Sequence, residues 1–211
     1  LWKYDGTNAP SMVADINPGG YSYPTSLNVF NNELYFQATN SGGPGSGSEL
    51  WKYDGTSAIL VADINSAGTS SPQYLTVFNN ELYFSADDGI HGFELWKYDG
   101  TSASLVADVS PSSSITSSTH PLVYSYGGYL TVFNNALYFQ ADDGTHGREL
   151  WKTDGTNGGT VMVKDIQAGS GNSMAKDMSV LNNQLFFTAN DGTYGYELCK
   201  LSPAGTTITY S

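Results

Sequence analysis

Residues 74–109 read YLTVFNNELYFSADDGIHGFELWKYDGTSASLVADV, and this stretch decides the fold. It divides into short runs rich in β-branched and aromatic residues: YLTVF, ELYFSA, FELWKY and SLVADV. Asn79–Asn80, DDGIHG and Asp99–Gly100 separate them, which is the pattern of strands joined by tight hairpins. Asp-Gly suits the primed hairpin turns, whose central residues need positive φ. Phe93, Leu95 and Lys97 alternate with Glu94, Trp96 and Tyr98, so both faces of this strand carry apolar side chains. A sheet of such strands is covered on both sides. No sustained 3.6-residue period is visible, and no substantial helix is expected.

The unit recurs. Trp2, Trp51, Trp96, Trp151 and Cys199 fall in one slot, about 45–55 residues apart. Four-stranded antiparallel units of that period, buried on both faces, predict an all-β β-propeller or propeller-like arc. Counting strands by register gives blades over 26–64, 75–109, 129–166 and 179–210. Residues 1–16 add an N-terminal half-blade that begins at its third strand, within a single repeat domain over 1–211. Such a half-blade presents open strand edges that invite pairing with another chain. The chain opens inside a repeat, without a starting Met, and is expected to be a processed product or a piece of something longer. Linkers vary in length between the strictly kept units, and loops of that kind often form the binding face. The linker at 110–128, with Tyr124, Tyr126, Gly127 and Gly128, is the most distinctive.

The net charge of −12 is built into the repeat. Nineteen of twenty acidic residues occupy recurring slots, with Asp177 the exception. Lys3, Lys52, Lys97, Lys152 and Lys200 share the position after the Trp or its Cys replacement. A field of this sign argues against nucleic acid and leaves cations and neutral polar ligands. No apolar run reaches the roughly 18 residues of a membrane span. One cysteine, Cys199, allows no internal disulfide.

The heptads Leu50–Thr56 and Leu95–Thr101, with GTVMVKDI at 159–166 and DGTHGRELW at 143–151, resemble the ELWxxDGT-repeat family of bacterial secreted and cell-surface proteins. The resemblance covers essentially the whole chain. It implies an extracellular, propeller-like architecture and little about activity. The last unit departs from it, reading ELCKLSP, as terminal repeats commonly do.

Three sets of residues stand out as candidate sites. The acidic loops place Asp87, Asp88 and Glu94, Asp142, Asp143 and Glu149, and Asp191 and Glu197 around glycine turns, an oxygen-rich pattern that suits Ca²⁺. The same letters also read as tight turns whose Asp accepts backbone N–H bonds. His91, His146 and Tyr194 share one loop position and would stack on a ligand or simply be solvated. Trp51, Trp96 and Trp151 either wedge neighbouring blades together or offer a platform for a sugar ring. The aspartates of VADI and VKDI (Asp15, Asp63, Asp108, Asp165) are expected to anchor loops. No nucleophile-elbow, HExxH or CxxC pattern occurs, and repetition of a site argues for multivalent binding over catalysis. The expectation is a non-enzymatic extracellular module that binds a glycan or another polar surface ligand. The alternative is a structural subunit of a surface layer, sheath or filament, self-associating by strand complementation.

Overall fold

The computed structural model describes residues 1–42, 46–110, 130–203 and 208–210. The linker residues Tyr124, Tyr126, Gly127 and Gly128 lie outside the described residues. Among the described residues all regular structure is strand. Each repeat folds into one antiparallel meander. The first four-stranded sheet comprises β3 (Thr25–Phe30), β4 (Glu33–Asn40), β5 (Gly47–Tyr53) and β6 (Ala58–Ala62). The second is β7 (Gln73–Phe78), β8 (Glu81–Asp87), β9 (Phe93–Tyr98) and β10 (Ala103–Ala107). The third is β11 (Thr131–Phe133), β12 (Ala136–Asp142), β13 (Arg148–Thr153) and β14 (Val161–Lys164). The fourth is β15 (Lys176–Leu181), β16 (Gln184–Asn190), β17 (Tyr196–Leu201) and β18 (Ile208–Tyr210). Ahead of them, β1 (Trp2–Lys3) pairs with β2 (Ser11–Met12) alone. The fold is propeller-like: four four-stranded antiparallel blades and an N-terminal pair.

The chain forms two compact units, Leu1–Ile90 with Lys97–Ser104, and His91–Trp96 with Leu105–Ser211. In the first unit Ile16, which follows the N-terminal pair, packs with Phe36, Ala38 and Trp51 of the first blade, with Leu1 and Ala14 against them. The inner strands β3 and β7 lie side by side, and the Asn28 side-chain amide donates to the Leu75 carbonyl (2.7 Å). In the second unit Leu150 of the third blade packs with Ala175, Leu185, Phe187 and Cys199 of the fourth. In the second unit the third blade thus buries one face against the fourth, and apolar burial of this kind supplies the main driving force for folding.

The hairpins divide their chemistry differently from the sequence expectation. Positive φ at both central residues belongs to the Asn-Asn pairs, as in Asn79 (48°) and Asn80 (60°). Asn tolerates the left-handed region better than other side chains do. Asp-Gly does not form a primed turn: only its glycine has positive φ, 99° at Gly55. The Asp side chain explains why. Asp54 Oδ1 accepts the amides of Thr56 (2.7 Å) and Ser57 (2.8 Å), folding a longer capped loop. Those bonds hold Asp54 and Asp99 below the usual carboxylate range.

The repeated Lys also has a partner the motif did not announce. Lys52 Nζ donates to Glu33 (2.9 Å), which also accepts the Tyr35 hydroxyl (2.9 Å). Lys97, Glu81 and Tyr83 repeat the arrangement one blade later.

Candidate functional site

The loop between the second and third strands of a blade carries the DDG letters, and its aspartates fold it. Asp87 Oδ1 accepts Gly89 N (2.7 Å), and Asp88 Oδ1 accepts Ile90 N (2.8 Å). In the third blade Asp142 Oδ1 accepts Gly144 N (2.8 Å). Asp143 Oδ1 accepts the amides of Thr145 (2.9 Å) and His146 (2.8 Å), and its Oδ2 lies 2.7 Å from His146 Nδ1. Asp191 does the same for Thr193 and Tyr194 (2.9 Å each).

The glutamates that close these loops point elsewhere. Glu49, Glu94 and Glu149 are fully buried. Glu149 accepts amides from the linker that follows its blade: Ile166 (2.8 Å), Gln167 (3.2 Å) and Ser173 (3.2 Å). Glu49 takes Ile64 N (3.3 Å), Ser70 N (2.9 Å) and the Ser70 hydroxyl, and Glu94 takes Val109 N (3.2 Å). Glu49 and Glu149 fasten their own sheets to the residues just ahead of the next, and Glu94 holds the start of the linker after its sheet. Burial pushes Glu49 and Glu149 above the carboxylate range, and the amide bonds offset part of that rise.

In the third blade the second glycine of DDGxxG, Gly147, makes room for that linker, as Gly47 does in the matching slot of the first blade. A Cβ at Gly147 would collide with the Gly171 carbonyl, and one at Gly47 would lie 2.5 Å from that of Gly68. Both have positive φ, 69° and 123°. Ser70, Ser173 and Asn172 were not singled out in the sequence. Their signal was a serine kept in the varied linkers ahead of each first strand.

The proposed calcium residues are therefore not gathered. Among the described residues no three His, Cys, Asp or Glu side chains lie close enough to share an ion. Calcium needs about six to eight oxygens. Asp87, Asp88, Asp142, Asp143 and Asp191 hold their own turns, while Glu94 and Glu149 face inward onto backbone amides. Glu197, in the matching slot of the last blade, is only half-buried.

Trp51 is a core residue, Trp96 and Trp151 are half-buried, and the indole nitrogens of all three are enclosed. Tyr194 by contrast is 78% exposed, and His91 and His146 are half-exposed. Of the strand-end aspartates, Asp165 Oδ2 anchors its loop by accepting Gly169 N (3.1 Å).

The loop of the third blade borders a cleft of about 270 Å³. Asp142, Gly144 and Thr145 line it from the loop, Ser110 from the preceding linker, and Ser170 and Asn172 from the following one. His146 stands beside it, held by Asp143. The carboxylate bond and charge of Asp143 raise the His146 pKa above the ordinary histidine value. Burial pushes Asp143 up, yet the His146 amide and ring and the Thr145 amide outweigh it and leave that carboxyl low. The pair strengthens below the unfolded histidine value of 6.5 and loosens as pH rises through the raised one. An NMR titration should show a His146 pKa above the ordinary histidine value, returning to it in Asp143→Asn. Cys199 is buried, and burial pushes its thiol up, keeping it protonated.

The sequence matches no family model and no curated protein. The fold is similar to parts of solved structures. A puromycin hydrolase shares 11% identity over 96% of this chain and 30% of its own, with a TM-score of 0.60. A puromycin-hydrolyzing peptidase from Mycobacterium tuberculosis shares 10% over 97% and 30%, with a TM-score of 0.61. A structure from a study of two prolyl endopeptidases shares 13% over 90% and 26%, with a TM-score of 0.53. This chain spans about 30% of the length of the first two. At such identities the likeness is one of fold alone.

Proposed function

We propose that the chain is a non-enzymatic, extracellular, multivalent binding module of the ELWxxDGT-repeat type that takes a glycan or a similarly polar surface ligand on its DDG loops. The observation that carries this reading is the cleft beside Asp142 and Thr145. It presents hydroxyls, a side-chain amide and a carboxylate together, the mixture of donors and acceptors that ring hydroxyls require. Equivalent loops recur in the second and fourth blades, so weak single contacts would sum through avidity. The exposed Tyr194 ring and the half-exposed His91 and His146 rings supply apolar faces at the loop tips. A glycan array, read with calcium and with chelator, tests it. Binding that survives chelation and falls at least tenfold in a Thr145→Ala, Asn172→Ala double variant is expected. No hit under either condition would sink the reading.

A second reading, assembly into a layer, sheath or filament, has its own support. The N-terminal pair exposes Trp2 and Met12, and the last blade exposes Leu181, Tyr196 and Leu198. Exposed apolar groupings of this kind mark contact surfaces.

A further inference from the structure

The repeated Lys, Glu and Tyr group is broken in the third blade, and the broken copy keeps both of its donors. In the first blade Tyr35 and Lys52 are cross-strand partners, and both donate to the Glu33 carboxylate. The Tyr35 hydroxyl lies at 2.9 Å and Lys52 Nζ at 2.9 and 3.0 Å from its oxygens. In the second blade the Tyr83 hydroxyl (2.8 Å) and Lys97 Nζ (3.1 Å) share Glu81 Oε2. The third blade pairs Tyr138 with Lys152 in the same register, but Ala136 stands where the glutamate does. The fourth drops carboxylate and hydroxyl together, with Gln184 and Phe186 in those slots.

Neither donor of the third blade finds another acceptor among the described residues. The Tyr138 side chain is only 2% exposed, and Lys152 is half-buried, as Lys52 and Lys97 are. Burial pushes the Tyr138 hydroxyl pKa up, so it stays protonated and able to donate. Ala136, partly buried against the same apolar cluster, keeps the glutamate's Cβ and lacks the rest. What is missing is a methylene and a carboxylate, the outline of an acetate ion. The fourth blade walls this end: Asn134 Nδ2 donates to the Pro203 carbonyl (2.6 Å), and Leu201 shares the cluster of Tyr138.

We propose that the third blade binds a short-chain carboxylate in this gap, with Lys152 Nζ and the Tyr138 hydroxyl donating to it as their counterparts donate to Glu33 and Glu81. The chain itself shows twice that this pair of donors holds a carboxylate at hydrogen-bond distance. An ammonium selects a carboxylate over a neutral amide, because charge-assisted bonds are roughly twice as strong. A methylene stem suits the gap because the carboxylate must reach past the Ala136 Cβ. The net charge of −12 opposes any anion, so a site for one needs its own unneutralised cation, which Lys152 supplies. The gap lies at the Asn-Asn end of β12 and the DDG loop at the other end, so this inference does not rest on glycan binding.

An NMR titration of the intact chain with sodium acetate tests this, against sodium chloride at equal ionic strength and against neutral acetamide. Saturable shifts at the Tyr138 ring and the Lys152 Cε methylene are expected, with a Kd of about 1–10 mM. Neither chloride nor acetamide should reproduce them. Lys152→Gln should weaken binding about tenfold or more. Ala136→Glu should abolish it, by setting the missing carboxylate between the donors, and leave the spectrum elsewhere unchanged. Glucuronate carries its carboxylate directly on a sugar ring and should bind more weakly than acetate. No saturation at either residue by about 100 mM acetate, or equal shifts with chloride, overturns the site. Binding unchanged in Ala136→Glu overturns it too, and glucuronate tighter than acetate overturns the short-chain assignment. Each of these failures leaves the glycan reading of the DDG loops standing.

Discussion

Replacing Glu149 with alanine is expected to cost about 3–5 kcal/mol of folding stability, because it strands three amide donors, two of them at buried positions. The amides of Ile166, Gln167 and Ser173 converge on that one carboxylate. No neighbouring acceptor is aimed at all of them. The effect should carry a pH signature. Burial raises the folded pKa of Glu149 above its unfolded value near 4.5. The native state therefore holds that proton more tightly, and stability falls as pH rises through the folded value. Acidifying from neutrality toward that unfolded value should stabilise the wild type, and Glu149→Gln should lose part of the gain. Below it the trend reverses. The turn aspartates Asp54, Asp99 and Asp191 are held low by backbone amides and lose their bonds on protonation. Denaturant melts of both variants from neutral to acid pH would check the magnitude and the sign.

The second large effect is expected at Leu150. Its side chain is fully buried among Ala175, Leu185 and Phe187, so Leu150→Ala should cost about 2–5 kcal/mol through lost burial and the cavity left behind. Leu198 holds the same slot in the last blade but is 48% exposed. In dilute solution Leu198→Ala should cost less than about 1 kcal/mol. The same residue in matching strands would then differ several-fold, with the covering blade as the cause. Equal costs would mean that the last face is covered within the chain.

The blades were legible because their signals are local. Alternation in FELWKY, the Asn-Asn turns and the recurrence of the Trp slot each fix structure within a few residues of themselves. The site was less legible because its partners are distant. Glu149 and Ser173 are joined across a linker whose length changes from repeat to repeat, so no fixed spacing marks the bond. The DDG letters admitted both a cation site and a capped turn. Only backbone geometry shows that Asp88, Asp143 and Asp191 bond the amides of their own loops. Asp-Gly misled for a related reason: its side chain caps the turn, whereas in Asn79–Asn80 the backbone itself takes the left-handed conformation. Asp177, the one acid outside the recurring slots, sits at a strand irregularity with φ 54°, a position Tyr74 fills in the second blade (59°).

The central claim is that the glutamate ahead of each Leu-Trp fastens one blade to the linker leading to the next. Amide hydrogen exchange resolved at Ile166, Gln167 and Ser173 tests it most directly, with the exposed neighbours Ala168 and Ser170 as internal references. Fastening requires those three amides to exchange as slowly as strands β12 and β13 in the wild type, and to speed up selectively in Glu149→Gln. Exchange as fast as that of Ala168 and Ser170 in the wild type would contradict it.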